Sequence, residues 1–304
     1  MRGEEGPSDA PRALPDYDIV IVHYKNSRIY SLLESINKLE VSPARVVVAD
    51  NSGDFDTGRV ARRHDIPIDV LRLDNPGYAS AINRAAETIE SPSKFLLVLT
   101  HEVKIFPGAV SRLLEAALES PRYGLIGPLL VDNEEGTRVY SAGGRYLTGA
   151  RPKHLSAGDL QAGRRPDYVD GAVMLIQRDV FEKIGGLDEK YFLYYEDNDI
   201  CQRVRLAGYD IHLAPAARFG QQTGNFTHYY QTRNQILFSR AYSSFFGTVV
   251  ALCCKMGGAA RASIRGRDSD PFLGALRGFW HGIKSKTGPD PRQIPGKAVV
   301  VVDA

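Results

Sequence analysis

Ile19-Val20-Ile21-Val22-His23-Tyr24 and Val46-Val47-Val48-Ala49-Asp50-Asn51-Ser52-Gly53 each pass from unbroken apolar residues straight into polar ones. An unbroken run rich in β-branched residues is the pattern of a strand buried on both faces. A parallel sheet covered by helices supplies that burial. Val70-Leu71-Arg72-Leu73 is a weaker third case, and Phe95-Leu96-Leu97-Val98-Leu99 is the fourth. Helical periodicity occupies 28–39, 57–64 and 78–89 between the runs, and 107–119 after the last. The alternation implies an α/β fold with a Rossmann-like, mostly parallel sheet and right-handed crossovers. Ligands of such sheets bind beyond the carboxyl ends of the strands. That rule selects His23 and Tyr24, then Asp50, Asn51 and Ser52, then Asn75, Gly77 and Tyr78, and finally Thr100, His101 and Glu102.

Asp50-Asn51-Ser52-Gly53 and Asn75-Pro76-Gly77 are also strong turn formers, so chain reversal explains each one taken alone. Their weight comes from sharing one sheet edge. There Asp50 could accept the imide N–H of a pyrimidine. Asn75, Asn83 and backbone N–H groups near Gly77 could meet a ribose or a phosphate. No G-x-G-x-x-G or G-x-x-x-x-G-K-[ST] signature follows a strand, which argues against a dinucleotide enzyme or a P-loop NTPase.

The chain has 304 residues, with 38 Lys and Arg against 36 Asp and Glu. A net charge of +2 marks no obvious polyanion binder, so no nucleic-acid partner is expected. Cys201, Cys253 and Cys254 make neither a disulfide framework nor a metal-ligand spacing, which suits a reducing cytoplasm. Residues 1–15 are polar and Pro-rich and read as a disordered leader without an apolar signal segment. The expected division continues with a main domain over 16–240, a helical extension over 241–288 and a tail over 289–304. Phe245 to Met256 is apolar but reads as too short to cross a bilayer. Lys255, Arg261, Arg265 and Arg267 accompany it, which allows peripheral contact with the inner face of a membrane. Helix packing or a homodimer contact are the more ordinary readings. Val299-Val300-Val301-Val302 reads as an edge strand or a loose tail.

The segment Tyr191-Phe192-Leu193-Tyr194-Tyr195-Glu196-Asp197-Asn198-Asp199 delivers acids to the start of a helix that ends at Gly208. Acids there cap free backbone N–H groups and suit the macrodipole. An aromatic wall adds a second effect: it can raise the pKa of Asp197 and make it a general base. Upstream, residues 121–150 are Gly-rich and read as short strands and turns. Residues 151–166, with Arg151, Lys153, Arg164 and Arg165, read as an exposed basic loop, either solvated or acting as a flap over an anionic donor. Tyr168 to Ile176 reads as a strand with a polar lead-in, and Arg178 to Ile184 as a helix closed by Gly185-Gly186.

These pieces, in this order, resemble the family-two inverting glycosyltransferases of GT-A fold, in their bacterial rhamnosyltransferase-like branch. The resemblance is carried by Asp18-Ile19-Val20-Ile21-Val22-His23-Tyr24, Val47-Val48-Ala49-Asp50-Asn51-Ser52, Asn75-Pro76-Gly77-Tyr78-Ala79-Ser80-Ala81-Ile82-Asn83, Ser141-Ala142-Gly143-Gly144, Asp170-Gly171-Ala172, Gly185-Gly186-Leu187-Asp188 and Tyr194-Tyr195-Glu196-Asp197-Asn198-Asp199. It runs from about residue 17 to about 245. It implies transfer of a sugar, rhamnose or another deoxysugar, from a UDP- or dTDP-sugar to a hydroxyl acceptor by one inverting displacement. Asp197 is then the base, with Glu196 and Asp199 as second choices. Gly143, Gly144, Asp170, Gly171, Asp199 and Arg233 take places near donor or acceptor. His23, Tyr24, Asp50, Asn51, Ser52, Asn75, Gly77, Asn83 and Thr100 line the nucleotide.

The resemblance also implies a divalent metal, Mn²⁺ or Mg²⁺, held by an acidic element after the fourth strand. Here that element is Thr100-His101-Glu102, so Glu102 keeps one acid and His101 is the substitute ligand. Relatives also carry a His near Arg218 to Gly224, where this chain has none. Lys104, Arg233 or a loop arginine are the alternative counter-charges for the diphosphate. A catalytically degenerate nucleotide-sugar-binding protein is the competing reading.

Overall fold

The computed structural model describes residues 13–60, 66–131, 136–221, 227–266, 269–290 and 292. Most of the expected leader, the end of the helix expected over 57–64, and Val299–Val302 lie outside the described residues. In chain order the elements are β1 (Tyr17–His23), α1 (Arg28–Ile36), β2 (Arg45–Asp50), β3 (Ile68–Arg72), α2 (Tyr78–Glu87), β4 (Phe95–Thr100), β5 (Lys104–Ile105), α3 (Ala109–Glu119) and β6 (Tyr123–Val131). They continue with β7 (Val139–Ser141), β8 (Gly144–Leu147), β9 (Arg151–His154), α4 (Ala157–Gln161), β10 (Val173–Gln177), α5 (Arg178–Lys183), α6 (Glu196–Leu206) and β11 (Asp210–Gly220). Three helices close the chain: α7 (His228–Tyr242), α8 (Phe245–Gly266) and α9 (Asp270–Ile283).

One curled sheet has the order β3-β2-β1-β4-β10-β6-β11-β5, with β7 added to β6. The four apolar runs read from the sequence are its parallel half, β3-β2-β1-β4. Alternate residues of β1 serve opposite faces. Tyr17, Ile19 and Ile21 pack with α1 and α3, whereas Val20 and Val22 pack with α2, α5 and α6. Burial on both faces is why the run is continuous rather than alternating. Register then sets the site. His23 lies beside Asp50, and Val22 beside Thr100, so the polar residues finish on one edge. β10 runs antiparallel to β4, with Val173 opposite Leu99. Its lead-in, Asp170-Gly171-Ala172, therefore arrives at the same edge, where Thr100 N donates to Ala172 O at 3.0 Å.

Three local expectations are corrected. Residues 151–166 are not a plain loop. β9 pairs with β8 as an antiparallel arm, and Ser156 and Asp159 form a reciprocal capping box that starts α4. Buried Leu155 anchors the join. The stretch expected as a helix from 57 begins as a 3-10 turn, Thr57–Arg59, capped by the Asp56 side chain. Finally, the apolar stretch from Phe245 does not stop near Met256. It continues as a 22-residue helix that is, by length and composition, long and apolar enough to cross a membrane. The helix runs through Gly257-Gly258 because alanines follow and neighbouring helices support it.

Candidate active site

At the end of β2, Asp50 turns inward and is fully buried. One of its oxygens accepts from Ser52 N at 3.1 Å, Ser52 Oγ at 3.1 Å and Gly53 N at 2.9 Å, and the other from Phe55 N at 3.2 Å. As folded it shapes the 50–55 turn, with Oδ1 taken up by three donors and Oδ2 by one. Asp54 is the exposed carboxylate at this end. Its Oδ1 lies 3.0 Å from His23 Nε2 and also accepts from Ser52 Oγ. Burial alone would raise Asp54, but the Ser52 and His23 hydrogen bonds outweigh it and hold the carboxyl below its ordinary value. Tyr24 is exposed beyond the strand end. Asn51 N donates to His23 O at 2.9 Å, and Asn51 Nδ2 to Gly77 O at 3.3 Å. These bonds tie β1 and β2 to the turn before α2.

That turn needs its glycine. Asn75 takes φ 58° and Gly77 takes φ 106°, and a Cβ on Gly77 would sit 2.6 Å from Phe192 O. The close approach lets Tyr78 N donate to Phe192 O at 2.7 Å, joining the nucleotide edge to the aromatic segment. Asn83 departs from its expected place. Its side chain clasps Leu187, accepting from its N–H and donating to its carbonyl, each at 2.9 Å. It braces the Gly185-Gly186-Leu187 loop instead of lining the edge.

The aromatic segment is a strained turn. Phe192, Tyr194 and Tyr195 have φ of 64°, 68° and 76°, a region that non-glycine residues avoid. Asn234 Nδ2 holds it by donating to the carbonyls of Tyr191, Leu193 and Tyr194 at 2.9, 2.8 and 2.8 Å. Arg233 Nη2 adds a bond to Tyr191 O at 2.6 Å. Arg233 is fully buried in this work, so it is a positioning residue and does not reach donor or acceptor as expected. Asp199 is likewise buried. It is held by Arg203 at 2.6 Å, Lys190 at 3.7 Å, Tyr242 at 2.9 Å and Tyr191 at 3.2 Å, which makes it structural.

Glu196 and Asp197 open α6 toward the sheet edge. Asp197 Oδ2 accepts from Gly171 N at 3.1 Å, and Tyr78 OH donates to Gly171 O at 2.7 Å. Asp197 and Tyr78 therefore grip the same residue, which brings the acidic start of α6 to the strand-end edge beside Gly171. Burial, with the charges of Glu196, Asp197 and Glu102, holds the Tyr78 phenol well above its ordinary pKa. Burial and the charges of Asp170, Asp197 and Glu102 likewise raise Tyr140. The pKa effect expected from the aromatic wall falls on Glu196: burial, then the neighbouring Asp197, pushes it well above the ordinary carboxylate value.

A second cluster joins the expected Asp170 to Ser141 and to His154, the member that sequence reasoning missed. Ser141 Oγ meets Asp170 Oδ2 and lies 2.9 Å from His154 Nδ1, which is 3.5 Å from Asp170. Gly143 and Gly144 serve it indirectly: Gly144 N donates to Tyr168 O at 2.9 Å and seats the β8–β9 arm that brings His154 in. Burial raises Asp170, opposed by His154 and Ser141. Ser141 and Asp170 lie in motifs singled out in the sequence, whereas His154 carried no signal beyond being a lone histidine among arginines and lysines.

The profile of the family described as "Glycosyltransferase like family 2" matches residues 15–243. The chain belongs to that family. It is a glycosyltransferase of GT-A fold with a helical carboxy-terminal part. Its relatives include the N-acetylglucosaminyl-diphospho-decaprenol L-rhamnosyltransferase of Mycobacterium tuberculosis, 26% identical over 229 residues, covering 66% of this chain and 73% of that protein. The rhamnosyltransferase WbbL of Escherichia coli is 22% identical over 242 residues, covering 74% and 88%. In fold the chain is similar to GalNAc-T7 crystallised with UDP, GalNAc and Mn²⁺, with TM-score 0.60 and 13% identity. That match covers 90% of this chain and spans 57% of the other.

Metal-ligand chemistry in this family-two glycosyltransferase is distributed differently from the expected Glu102 and His101 pair. His101 turns toward β1, with Nδ1 3.0 Å from Val22 O and its ring 5.8 Å from that of His23. Burial lowers its pKa to about 4, so the imidazole is neutral above that. The charges bearing on it are His23, Arg28 and Asp54. Glu102 instead shares a hydrogen bond with Gln221, and burial raises its pKa. Gln221 Oε1 is buried with no hydrogen-bond partner. A carboxylate beside an orphaned amide oxygen is an oxygen donor set that suits Mg²⁺ or Mn²⁺. Among the described residues, His23, Asp50 and Asp54 also bring ligand atoms within 4.8 Å of one another. There Asp50 already accepts three backbone N–H groups, which would compete with an ion for its oxygens.

Proposed function

We propose that this chain transfers a deoxysugar, rhamnose or a close relative, from a dTDP- or UDP-sugar to a hydroxyl of a glycan or small-molecule acceptor, with inversion at the anomeric carbon. The reading rests on one observation above all: the peptide of Gly171 is held from one side by Asp197 and from the other by Tyr78. That arrangement sets a carboxylate at the end of the edge where strand ends collect nucleotide-binding polar groups. The names of the rhamnosyltransferase relatives support the sugar class.

In the proposed displacement the acceptor oxygen bonds to the anomeric carbon from the face opposite the diphosphate. The bond from that carbon to the diphosphate oxygen breaks with its electron pair, and the hydroxyl proton passes to Asp197. Glu196, neutral and buried behind it, keeps a second negative charge away from the base. Tyr78 and Gly171 fix the carboxylate's aim. Glu102 and Gln221 are the residues that would hold a divalent cation, which when bound offsets charge on the departing diphosphate.

The test is transfer from a panel of nucleotide sugars, with the product anomer assigned by NMR. Asp197→Asn should lower kcat by about 10²–10⁴-fold, the usual worth of a general base, while nucleotide-diphosphate binding survives. Full activity in that variant would remove Asp197 from the chemistry. Binding without turnover by the unaltered protein, across donors and acceptors, would replace the proposal with the degenerate binding-protein reading.

A further inference from the structure

α9 presents unusual faces to protein and to solvent. Gly274, Gly278 and Gly282 recur four apart and lie against α7, and a Cβ on Gly278 would stand 2.4 Å from Tyr229 O. Leu273, Leu276, Trp280 and Ile283 lie on the far side, about 180° round at ~100° per residue. They are 49%, 37%, 54% and 47% exposed. Neighbouring α8 repeats the arrangement. Gly247, Ala251 and Ala259 are buried, whereas Phe245, Phe246 and Val249 are 87%, 71% and 40% exposed. Helices that hide glycine and alanine while showing Phe, Leu and Trp carry an apolar patch too large to be incidental.

Charge decides what covers it. Arg261, Arg265, Lys284 and Lys286 are exposed around this patch. Among the described residues from Phe245 to Lys286, Asp270 is the single acid, and it already has an interaction partner. We propose that the outer faces of α8 and α9 form a docking surface for an anionic phospholipid bilayer. A two-fold pair of copies joined through this face would set a cationic surface against itself, with Asp270 the one acid among its described residues to receive it. Anionic headgroups receive those cations directly, and apolar and aromatic side chains enter the headgroup boundary. The helices lie on the surface and do not cross it. The inner face of α8 is packed on protein, and Lys255 Nζ reaches Gln231 Oε1 at 3.3 Å. The contact does not depend on the transfer chemistry proposed above.

Trp280 is the sole tryptophan of the chain, so its emission reports on this face alone. The full chain is mixed with vesicles of phosphatidylcholine, with or without phosphatidylglycerol, and followed by emission and co-flotation. Vesicles containing phosphatidylglycerol should shift the emission to the blue and carry the protein upward, and salt should reverse both. Arg261→Gln and Arg265→Gln should each weaken partition about 5-fold, the worth of one surface cation near an anionic leaflet. Leu276→Glu should abolish the shift while the thermal shift given by added UDP or dTDP persists, which shows that the fold is intact. Equal binding to neutral vesicles, or no blue shift with anionic ones, would overturn the proposal. So would a concentration-dependent dimer that Leu276→Glu dissolves.

Discussion

Glu196 and Asp197 are adjacent in the chain, yet the fold treats them oppositely. Glu196 is buried, with Oε2 lacking a hydrogen-bond partner, whereas Asp197 is half-exposed and oriented by Gly171 and Asn198. A neutral Glu196 is the lower-energy state of such a site, because an ionised one would stand beside Asp197 without compensation. The sign of its effect on stability follows. Between the ordinary Glu pKa and the raised folded one, the native state holds a proton that the unfolded state has released. Stability therefore falls as pH rises through that window. Glu196→Gln cannot ionise, so urea unfolding midpoints measured from about pH 5 to about pH 8 should fall less steeply than in the parent. Transfer activity should survive in Glu196→Gln. A dead Glu196→Gln enzyme would instead make Glu196 the base.

The aromatic turn before α6 and the helix α7 form one mechanical unit. The turn is strained at Phe192, Tyr194 and Tyr195, and Asn234 satisfies three of its carbonyls. Asn234→Ala leaves those carbonyls short of donors. It should cost about 1–3 kcal/mol of stability and lower kcat more than it changes donor KM, since it alters the aim of Asp197 and not the nucleotide edge. Equal effects on both constants would mean that α7 acts on donor binding instead. The same elements show what could be read from sequence. Three of the four parallel strands, β1, β2 and β4, were legible because burial on both faces leaves an unbroken apolar run, as in Ile19–Val22 and Val46–Ala49, whereas the edge strand β3 is only partly buried and gave a weaker signal. The acidic start of α6 was legible from its motif. Side-chain destinations were not. The local turn pattern allowed Asp50 to fold back onto Ser52 and Gly53 but did not require it, and nothing local says that Arg233 will be spent on a backbone carbonyl 42 residues away. The β8–β9 arm was hidden because its charged residues pattern like a solvated loop, although its partner strand and Leu155 hold it.

For the whole molecule, the decisive quantity is how nucleotide, cation and fold are coupled. The edge proposed for the nucleotide is assembled from β1, β2 and β4, the strands at the middle of the main core, so ligand bound there should stabilise the global fold and not only a loop. At ligand near 100 times Kd the gain is about 2.7 kcal/mol, which for a domain of this size raises Tm by about 5 °C. If the proposed donor class is right, UDP and dTDP should both produce such a shift. Divalent metal should enlarge it. Glu102 and Gln221 present oxygen donors whose affinity for a cation rises when a diphosphate completes the set. Adding EDTA should therefore remove part of the nucleotide-induced shift and leave the ligand-free Tm unchanged. Glu102→Gln should make the shift insensitive to both Mn²⁺ and EDTA. If the parent's shift is already the same with Mn²⁺ and with EDTA, the diphosphate charge is met by protein cations. Arg28, whose charge reaches both Glu102 and His101, is then the side chain to replace next.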